Sequence, residues 1–260
     1  MPVITLTTDF GTGSPYVAAM KGVILSINPD AQIVDITHAV RAQDVAEGAL
    51  VLEQFSPWFP PGTIHVAVID PGVGSARRIV YAEIGEQRYV APDNGLLSRL
   101  ARRREPSRIF ALDNSAFWLS PVSATFHGRD IMAPVAARLS RGLDALQLGS
   151  RIEELVSLNW PEVVILPRTI RGSVELIDSF GNLITDITES MLDGAPRDES
   201  VRITCDEHET LGIFRTYSDQ PPATLVALVG SSGRLELAIV GENAAAMLGI
   251  RTGTPVTVSW

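Results

Sequence analysis

A carboxylate, a guanidinium and an imidazole stand out in the sequence as groups that could act together on a small molecule. Asp70 and Arg77 lie at the two ends of loop 70–77, whose glycines permit tight folding, so the two side chains can face each other. In a cleft such a pair could hold and polarise a water molecule, whereas on the surface it would be an ion pair worth under about 1 kcal/mol. His127 lies just before a predicted helix, where it can carry a proton, orient a neighbour or be purely structural.

Asp9 shares with Asp70 a position directly after an apolar run. The runs are residues 3–8 and 63–69, and both predict buried strands. Open α/β sheets bind their ligands at the carboxyl ends of parallel strands, which favours a site here. For either aspartate alone, capping the next helix or closing an Asx-turn is an equally good interpretation. Two aspartates at the same point of the pattern favour a small-molecule site.

Alternating strands and helices in the first 150 residues must position these groups. Besides the two strands above, the pattern predicts a helix from Pro15 capped by Ser14, a strand at 32–36, a helix with Val45 and Leu52 on its apolar face, and a hairpin around 85–86. A helix at 96–103, a strand at 109–112 and a helix after 130 follow. Beyond Gly149 the segments become short, β-rich and separated by turns.

The predicted fold class is therefore α/β. A mostly parallel α/β sandwich domain at 1–155 precedes a smaller, mainly β, barrel-like domain at 156–260.

Composition excludes several classes of function. The chain has 260 residues, a net charge of −9 and a single cysteine, Cys205. The acidic balance argues against a nucleic-acid partner, and no apolar stretch has the length of a membrane span. The amino terminus has no secretory pattern, and one cysteine cannot form an internal disulfide, so we expect a cytoplasmic protein.

Familiar catalytic devices are absent from the sequence. Gly11 and Gly13 are followed by Tyr16 where a dinucleotide fingerprint requires a third glycine, and no phosphate-binding loop occurs. Residues 230–233 lack the spacing of a nucleophile elbow, and His38, His65 and His208 have no partner at zinc-ligand spacing. Composition and spacing alone indicate a small-molecule site with Asp, Arg and His nearby.

Five segments, in order along nearly the whole chain, resemble a known family. They are 8–11 (TDFG) with 16–18 (YVA); 70–74 (DPGVG) through Arg77; 126–130 (FHGRD); 178–183 (DSFGNL); and 231–236 (SSGRLE) with 241–244 (GENA). The family is that of the S-adenosyl-L-methionine (SAM) hydrolases, also called SAM hydroxide adenosyltransferases, which are related to fluorinating and chlorinating enzymes. Each segment alone could be an ordinary turn, but five in register are specific.

The resemblance implies a water-activating triad of Asp70, Arg77 and His127. Halide-using relatives carry tyrosine at the position of Asp70, so the aspartate implies water as the nucleophile. The resemblance also implies substrate-binding residues, with Asp9 accepting from both ribose hydroxyls: Asp9, Asp178, Phe180, Asn182, Tyr217, Ser231 and Glu236. Two positions depart from the family pattern, because Asp186 replaces an asparagine and Ser232 replaces the arginine of halogenating relatives.

The function implied by this resemblance is hydrolysis of SAM to adenosine and methionine, by in-line attack of water at the ribose C5′. No metal or cofactor is implied, and the partners are SAM and adenosine. The resemblance further implies a homotrimer whose sites lie between subunits. Three alternatives stay open: a chloride adenosyltransferase on the same scaffold, a non-catalytic sensor of SAM or adenosine, and a metal hydrolase built on clustered aspartates.

Overall fold

The computed structural model describes residues 2–260, which divide into two compact units at Asn159 and Trp160. The first unit contains a mixed α/β arrangement and the second is mainly β, so the predicted fold class is confirmed. The sequence pattern predicts this division at 155/156, slightly earlier in the chain. Among residues 2–260, no helix combines the length and apolar character that crossing a membrane requires.

The first unit is built on a six-stranded sheet. Its elements are β1 (Ile4–Thr8), α1 (Pro15–Ile27), β2 (Ile33–Thr37), α2 (Val45–Phe55), β3 (Ile64–Val68), β4 (Ile79–Ile84), β5 (Gln87–Pro92), α3 (Ser98–Arg103), β6 (Arg108–Ala111) and α4 (Ala133–Ser140). The strand order is β2-β1-β3-β5-β4-β6. The first four strands in this order are parallel, and β4 is antiparallel to both its neighbours. The carboxyl ends of β1, β3 and β5 therefore lie side by side.

Two apolar cores hold helices against opposite faces of this sheet. Residues of β1 and β3 pack with α1 and α4 in one core, which includes Leu6, Met20 and Ile24. The other core joins the sheet to α2 and α3 and includes Leu52 and Leu96. Because both faces are covered, the polar loops at the carboxyl edge are where this unit can bind a ligand.

The start of α1 follows from its sequence. Ser14 caps the helix by accepting a hydrogen bond from the Tyr16 amide at 3.3 Å, and Pro15 takes the first helical position. The helix ends at Ile27, and the Asn28 amide donates to the Ile24 carbonyl. The start of the helix is the one that the sequence predicts.

The second unit is an eight-stranded antiparallel sheet. Its elements are β7 (Val164–Leu166), β8 (Thr169–Ile177), β9 (Leu183–Thr188), β10 (Arg202–Cys205), β11 (His208–Leu211), β12 (Leu225–Val229), β13 (Arg234–Ile239), α5 (Ala244–Leu248) and β14 (Pro255–Ser259). The order is β11-β10-β14-β8-β9-β13-β12, with β7 paired to β8. The Thr210 hydroxyl of β11 donates to the Leu225 carbonyl of β12 at 2.8 Å. The two outer strands thus meet, and the sheet is nearly closed into a barrel.

Candidate functional site

Asp70, Arg77 and His127 form one hydrogen-bonded group at the carboxyl edge of the first unit's sheet. Asp70 comes two residues after β3, and Arg77 two residues before β4. Arg77 Nε donates to Asp70 Oδ1 at 2.8 Å, and Arg77 Nη2 donates to Asp70 Oδ2. The same Nη2 lies 2.9 Å from His127 Nδ1. The guanidinium therefore joins the carboxylate to the imidazole.

Burial and charge define the state of this group. The side chains of Asp70 and Arg77 are 4% and 10% exposed. Burial, followed by the positive charge of Arg77, holds the pKa of His127 below its usual value. Because a guanidinium only donates, His127 Nδ1 must accept, and the neutral ring carries its proton on Nε2. His127 is thus a hydrogen-bond donor through Nε2.

A tight turn brings Asp70 and Arg77 together. The Val73 amide donates to the Asp70 carbonyl at 3.1 Å, and the Ser75 hydroxyl donates to the Gly72 carbonyl at 2.7 Å. Gly74 has a φ of +80°, and a Cβ there would lie 2.5 Å from the Ala124 carbonyl oxygen. Only glycine fits where this loop touches the segment that leads to His127.

The segment around His127 is anchored from both sides. A π-helical turn at Gly128–Met132 follows the histidine directly. Buried Asp130 accepts from Arg129 Nε and Nη2 at 2.6 and 2.9 Å and from the Ser123 amide at 2.8 Å. The ring of Phe126 contacts Phe10 with centroids 5.9 Å apart. Since Phe10 follows Asp9, this contact joins the His127 segment to the loop after β1.

Asp9 lies at the end of β1, beside β3 in the sheet. Its Oδ2 accepts from the Gln43 amide at 2.7 Å, and Gln43 has the unusual φ of +66°. Within residues 2–260 the Oδ1 atom makes no hydrogen bond, so it can accept from a ligand. The sequence pattern predicts Asp9 but not Gln43, because Gln43 contributes only its backbone and its residue type carries no signal.

In the second unit, Asp178 organises the loop between β8 and β9. Its Oδ1 accepts from the amides of Phe180 and Asn182, both at 2.9 Å, and its Oδ2 accepts from Asn182 Nδ2 at 3.0 Å. Phe180 at the tip of this loop is 76% exposed. The Asp178 carboxylate thus fixes a turn, and the aromatic ring of Phe180 is exposed at the tip of that turn.

Tyr217 and Glu236 form a second pair in this unit. The Tyr217 hydroxyl donates to Glu236 Oε1 at 2.5 Å, and Glu236 is buried. Burial, with the nearby charge of Asp178, raises the pKa of Glu236, and burial with the Glu236 bond raises that of Tyr217. Ser231 lies in the turn between β12 and β13. The second unit therefore groups the Asp178 and Asn182 loop with the Tyr217 and Glu236 pair.

The structure gives Asp186, one of the two departures from the family pattern, a local role. Its Oδ1 accepts from the Ser173 amide at 2.7 Å and its Oδ2 from the Ser173 hydroxyl at 3.0 Å. Both contacts need an acceptor, which a carboxylate supplies with either oxygen. Asp186 thus fastens β9 to β8. Ser232 lies in the β12–β13 turn, and nothing in the structure explains its replacement of arginine.

One polar pair at the carboxyl edge was missed. Asp93 and Asn94 follow β5, which is parallel to β3, so the reasoning that found Asp9 and Asp70 also applies to them. They escaped notice because the run before them was interpreted only as a hairpin strand.

Among residues 2–260, no three His, Cys, Asp or Glu side chains are grouped so as to hold a metal ion.

Comparison with known proteins agrees with the five segments. The model of the SAM hydroxide adenosyltransferase N-terminal domain matches residues 4–149, and that of the C-terminal domain matches 172–257. A protein of Salinispora arenicola named (R)-S-adenosyl-L-methionine hydrolase is 38% identical over 99% of this chain and 98% of its own. A fluorinase of an Actinoplanes species is 28% identical over 99% of this chain and 97% of its own.

A solved structure completes the comparison. The crystal structure of an uncharacterized conserved protein from Thermotoga maritima aligns with a TM-score of 0.95, at 33% identity, over 99% of this chain and all of that one. The matches of both domain models and of full-length relatives leave one assignment: the chain belongs to the SAM hydroxide adenosyltransferase family.

Proposed function

We propose that the protein hydrolyses SAM to adenosine and L-methionine. The observation that carries the proposal is the hydrogen-bonded group of Asp70, Arg77 and His127 in a member of this family. Incubation with SAM and mass analysis of the products tests it, with adenosine and methionine expected in equal amounts. Recovery of intact SAM under all conditions would make the protein a binding module instead.

The sulfonium is a good leaving group without protonation, so the chemical demand falls on the water. Its oxygen must lie in line with C5′ and sulfur. Holding the water in that geometry can lower the activation barrier by several kcal/mol. The new bond joins water oxygen to C5′, the C5′–S bond breaks, and its electron pair stays on the methionine sulfur. One water proton is released.

Each member of the triad has a distinct role in this proposal. Both Asp70 oxygens already accept from Arg77, and each keeps a further lone pair that can accept from the water. Arg77 supplies positive charge beside the developing hydroxide, and His127 donates through Nε2. Asp70 thus orients the water and receives its proton on the way to solvent. No step requires a metal or a cofactor.

The remaining predicted residues bind the substrate. Asp9 accepts from the two ribose hydroxyls, since one of its oxygens has no partner among residues 2–260 and a carboxylate can bind a diol. Tyr217 stacks on the adenine, positioned by Glu236. The other contacts around adenine and methionine come from the second unit: Asp178, Phe180, Asn182 and Ser231.

We propose a homotrimer in which the first unit of one protomer and the second unit of its neighbour share each substrate. Mixing two inactive variants, Asp70→Asn and Asp178→Ala, tests the sharing. If protomers exchange after dissociation and reassembly, about a quarter of the sites would combine two intact halves and activity would return. Sites confined to single chains would stay inactive, and light scattering reports the number of protomers independently.

The names of the relatives support a proposal on the configuration of the substrate. Those named hydrolases carry the R configuration at sulfur in their names, and we propose the same preference here. Separate incubation with the two sulfonium epimers tests it, with faster consumption of the R epimer expected.

We further assign the reaction to the cytoplasm, because buried, unpaired Cys205 requires no oxidising compartment.

The chloride adenosyltransferase remains the second candidate because a fluorinase aligns along almost the whole chain. Asp70 disfavours it, since a buried carboxylate beside the reacting carbon repels an incoming halide. Incubation with SAM in concentrated chloride decides between the two. Accumulation of 5′-chloro-5′-deoxyadenosine in place of adenosine would favour the halide reaction.

A further inference from the structure

The carboxyl end of β5 lies between the strand that precedes Asp70 and the strand that follows Arg77. In the sheet order, β5 separates β3 from β4, so its last residues lie between the segment of Asp70 and that of Arg77. The β4–β5 ladder pairs Ile79 with Pro92. It continues by one further bond, because the Asp93 amide donates to the Arg78 carbonyl at 2.9 Å. The chain next to Arg77 is thereby held at this point.

Asp93 anchors the β4 side of this arrangement. Its side chain is 2% exposed, and its Oδ2 accepts from Arg78 Nε at 2.9 Å and from Arg78 Nη2 at 2.5 Å. Its Oδ1 accepts from the Val156 amide at 2.8 Å. One oxygen of this buried carboxylate therefore fixes Arg78, which follows Arg77, and the other oxygen is held by the backbone at Val156.

Asn94 anchors the β3 side. Its Nδ2 donates to the Ile69 carbonyl at 2.9 Å, which belongs to the residue directly before Asp70. Its Oδ1 accepts from the Leu96 amide at 3.2 Å, which closes the turn and orients the amide. At Gly95 a Cβ would lie 2.5 Å from the Leu158 side chain, so this turn is packed from behind as well.

We propose that Asp93 and Asn94 are positioning residues that set the separation and orientation of Asp70 relative to Arg77. The pair holds the chain next to Asp70 and next to Arg77, while neither of its side chains contacts a side chain of the triad. The inference rests on the proposed function for its catalytic consequence. Its structural consequence, the placement of Arg77 against His127, is measurable without any substrate.

The chain offers a matched control for Asn94. Asn114 also donates through Nδ2 to a carbonyl, that of Gln147 at 2.8 Å, and its Oδ1 also accepts from the amide two residues on at 3.2 Å. It follows β6, and neither of these bonds involves a residue next in sequence to Asp70, Arg77 or His127. Replacement by serine keeps a short oxygen that can close each turn and removes the amide donor, without a change of charge.

The kinetic test compares Asn94→Ser with Asn114→Ser. We expect Asn94→Ser to lower kcat about 10-fold or more with a change in KM under about 3-fold, because small displacements of an aligned group cost turnover. Asn114→Ser should retain kcat, with a similar loss of thermal stability. Equal kcat values for the two variants would overturn the proposal. If Asn94→Ser does not fold, Asp93→Asn serves as the second variant with the same expectation.

A titration of His127 by NMR tests the placement of Arg77 directly. In the wild type, burial and Arg77 hold the pKa of His127 below its usual value. Displacement of Arg77 in Asn94→Ser should raise this pKa, and Asn114→Ser should leave it unchanged. An unchanged value in Asn94→Ser would refute the positioning role. A wild-type protein that leaves SAM intact would refute the proposed function alone, since the titration still decides the inference.

Discussion

Replacement of Asp70 by asparagine tests the triad with little change in shape. The carboxamide can keep one acceptor for Arg77 but places an NH2 group where Oδ2 accepts from Nη2, so one of two charge-assisted bonds is lost. Such a bond contributes about 1.5–3 kcal/mol, and this sets the expected fall in unfolding free energy. The loss in turnover should be larger, about 100-fold to 10,000-fold, because the group that orients the water and receives its proton is gone. That factor corresponds to about 3–5 kcal/mol in the barrier.

The assay separates turnover from stability by means of a matched variant. Glu53 is a carboxylate paired to Arg99 and Arg103 between α2 and α3, and its side chain is 5% exposed, against 4% for Asp70. Glu53→Gln should lose comparable stability in chemical denaturation and keep wild-type kcat in a methionine-release assay. Asp70→Asn should keep KM within about 3-fold, because the triad does not bind the adenosine in this account. Wild-type kcat in folded Asp70→Asn would refute the role of the triad.

Four further outcomes are expected. Turnover should fall on acidification with an apparent pKa below about 6.5, because protonation of His127 removes the acceptor of the Arg77 bond; a pH–kcat profile that stays flat down to about pH 4 would contradict this. Burial lowers the pKa of His65 to about 4, so the folded state favours its neutral form, and unfolding free energy should fall by about 3 kcal/mol as pH drops from about 6.5 to that value; His65→Gln should remove this dependence in denaturation curves. Gly74→Ala should lower kcat and stability together, whereas Gly142→Ala, with φ +94° and no atom within 4 Å of a Cβ, should lower stability alone; equal kcat values would refute the contact argument. Asp9→Asn should raise KM about 10-fold or more with a smaller effect on kcat, and an unchanged KM would remove Asp9 from the ribose site.

The sequence was informative where buried strand residues are followed directly by a polar residue that can serve the site. The runs before Asp9 and Asp70 are apolar because β1 and β3 are covered on both faces, and the polar residue after each run marks the open edge. Ser14 and Pro15 likewise define the start of α1 by local chemistry. These elements needed no knowledge of distant contacts.

The sequence pattern does not predict the strand β9, because its buried polar residues interrupt the apolar pattern. Thr185 donates to the Leu235 carbonyl at 2.8 Å, and Asp186 accepts from Ser173, so both are satisfied by neighbouring strands. A sequence window contains neither partner. The strand therefore reads as half polar although five of its six residues are buried.

The triad shows the same limit at the site. Spacing indicated that Asp70 can face Arg77 across a short loop, but the bond to His127 joins residues 50 positions apart. The loop packs against Ala124, which glycine at 74 permits, and Phe126 contacts Phe10; these contacts between distant parts of the chain bring the histidine there. Asn94 escaped for a related reason, since its role depends on the sheet order that places β5 between β3 and β4.

The most direct measurement of the central claim is product analysis after incubation with SAM in water enriched in oxygen-18. Attack of water on C5′ predicts the label in the 5′-hydroxyl of adenosine and none in methionine. Adenosine without label, or label in any other product, would contradict a water molecule aimed at C5′ by Asp70, Arg77 and His127.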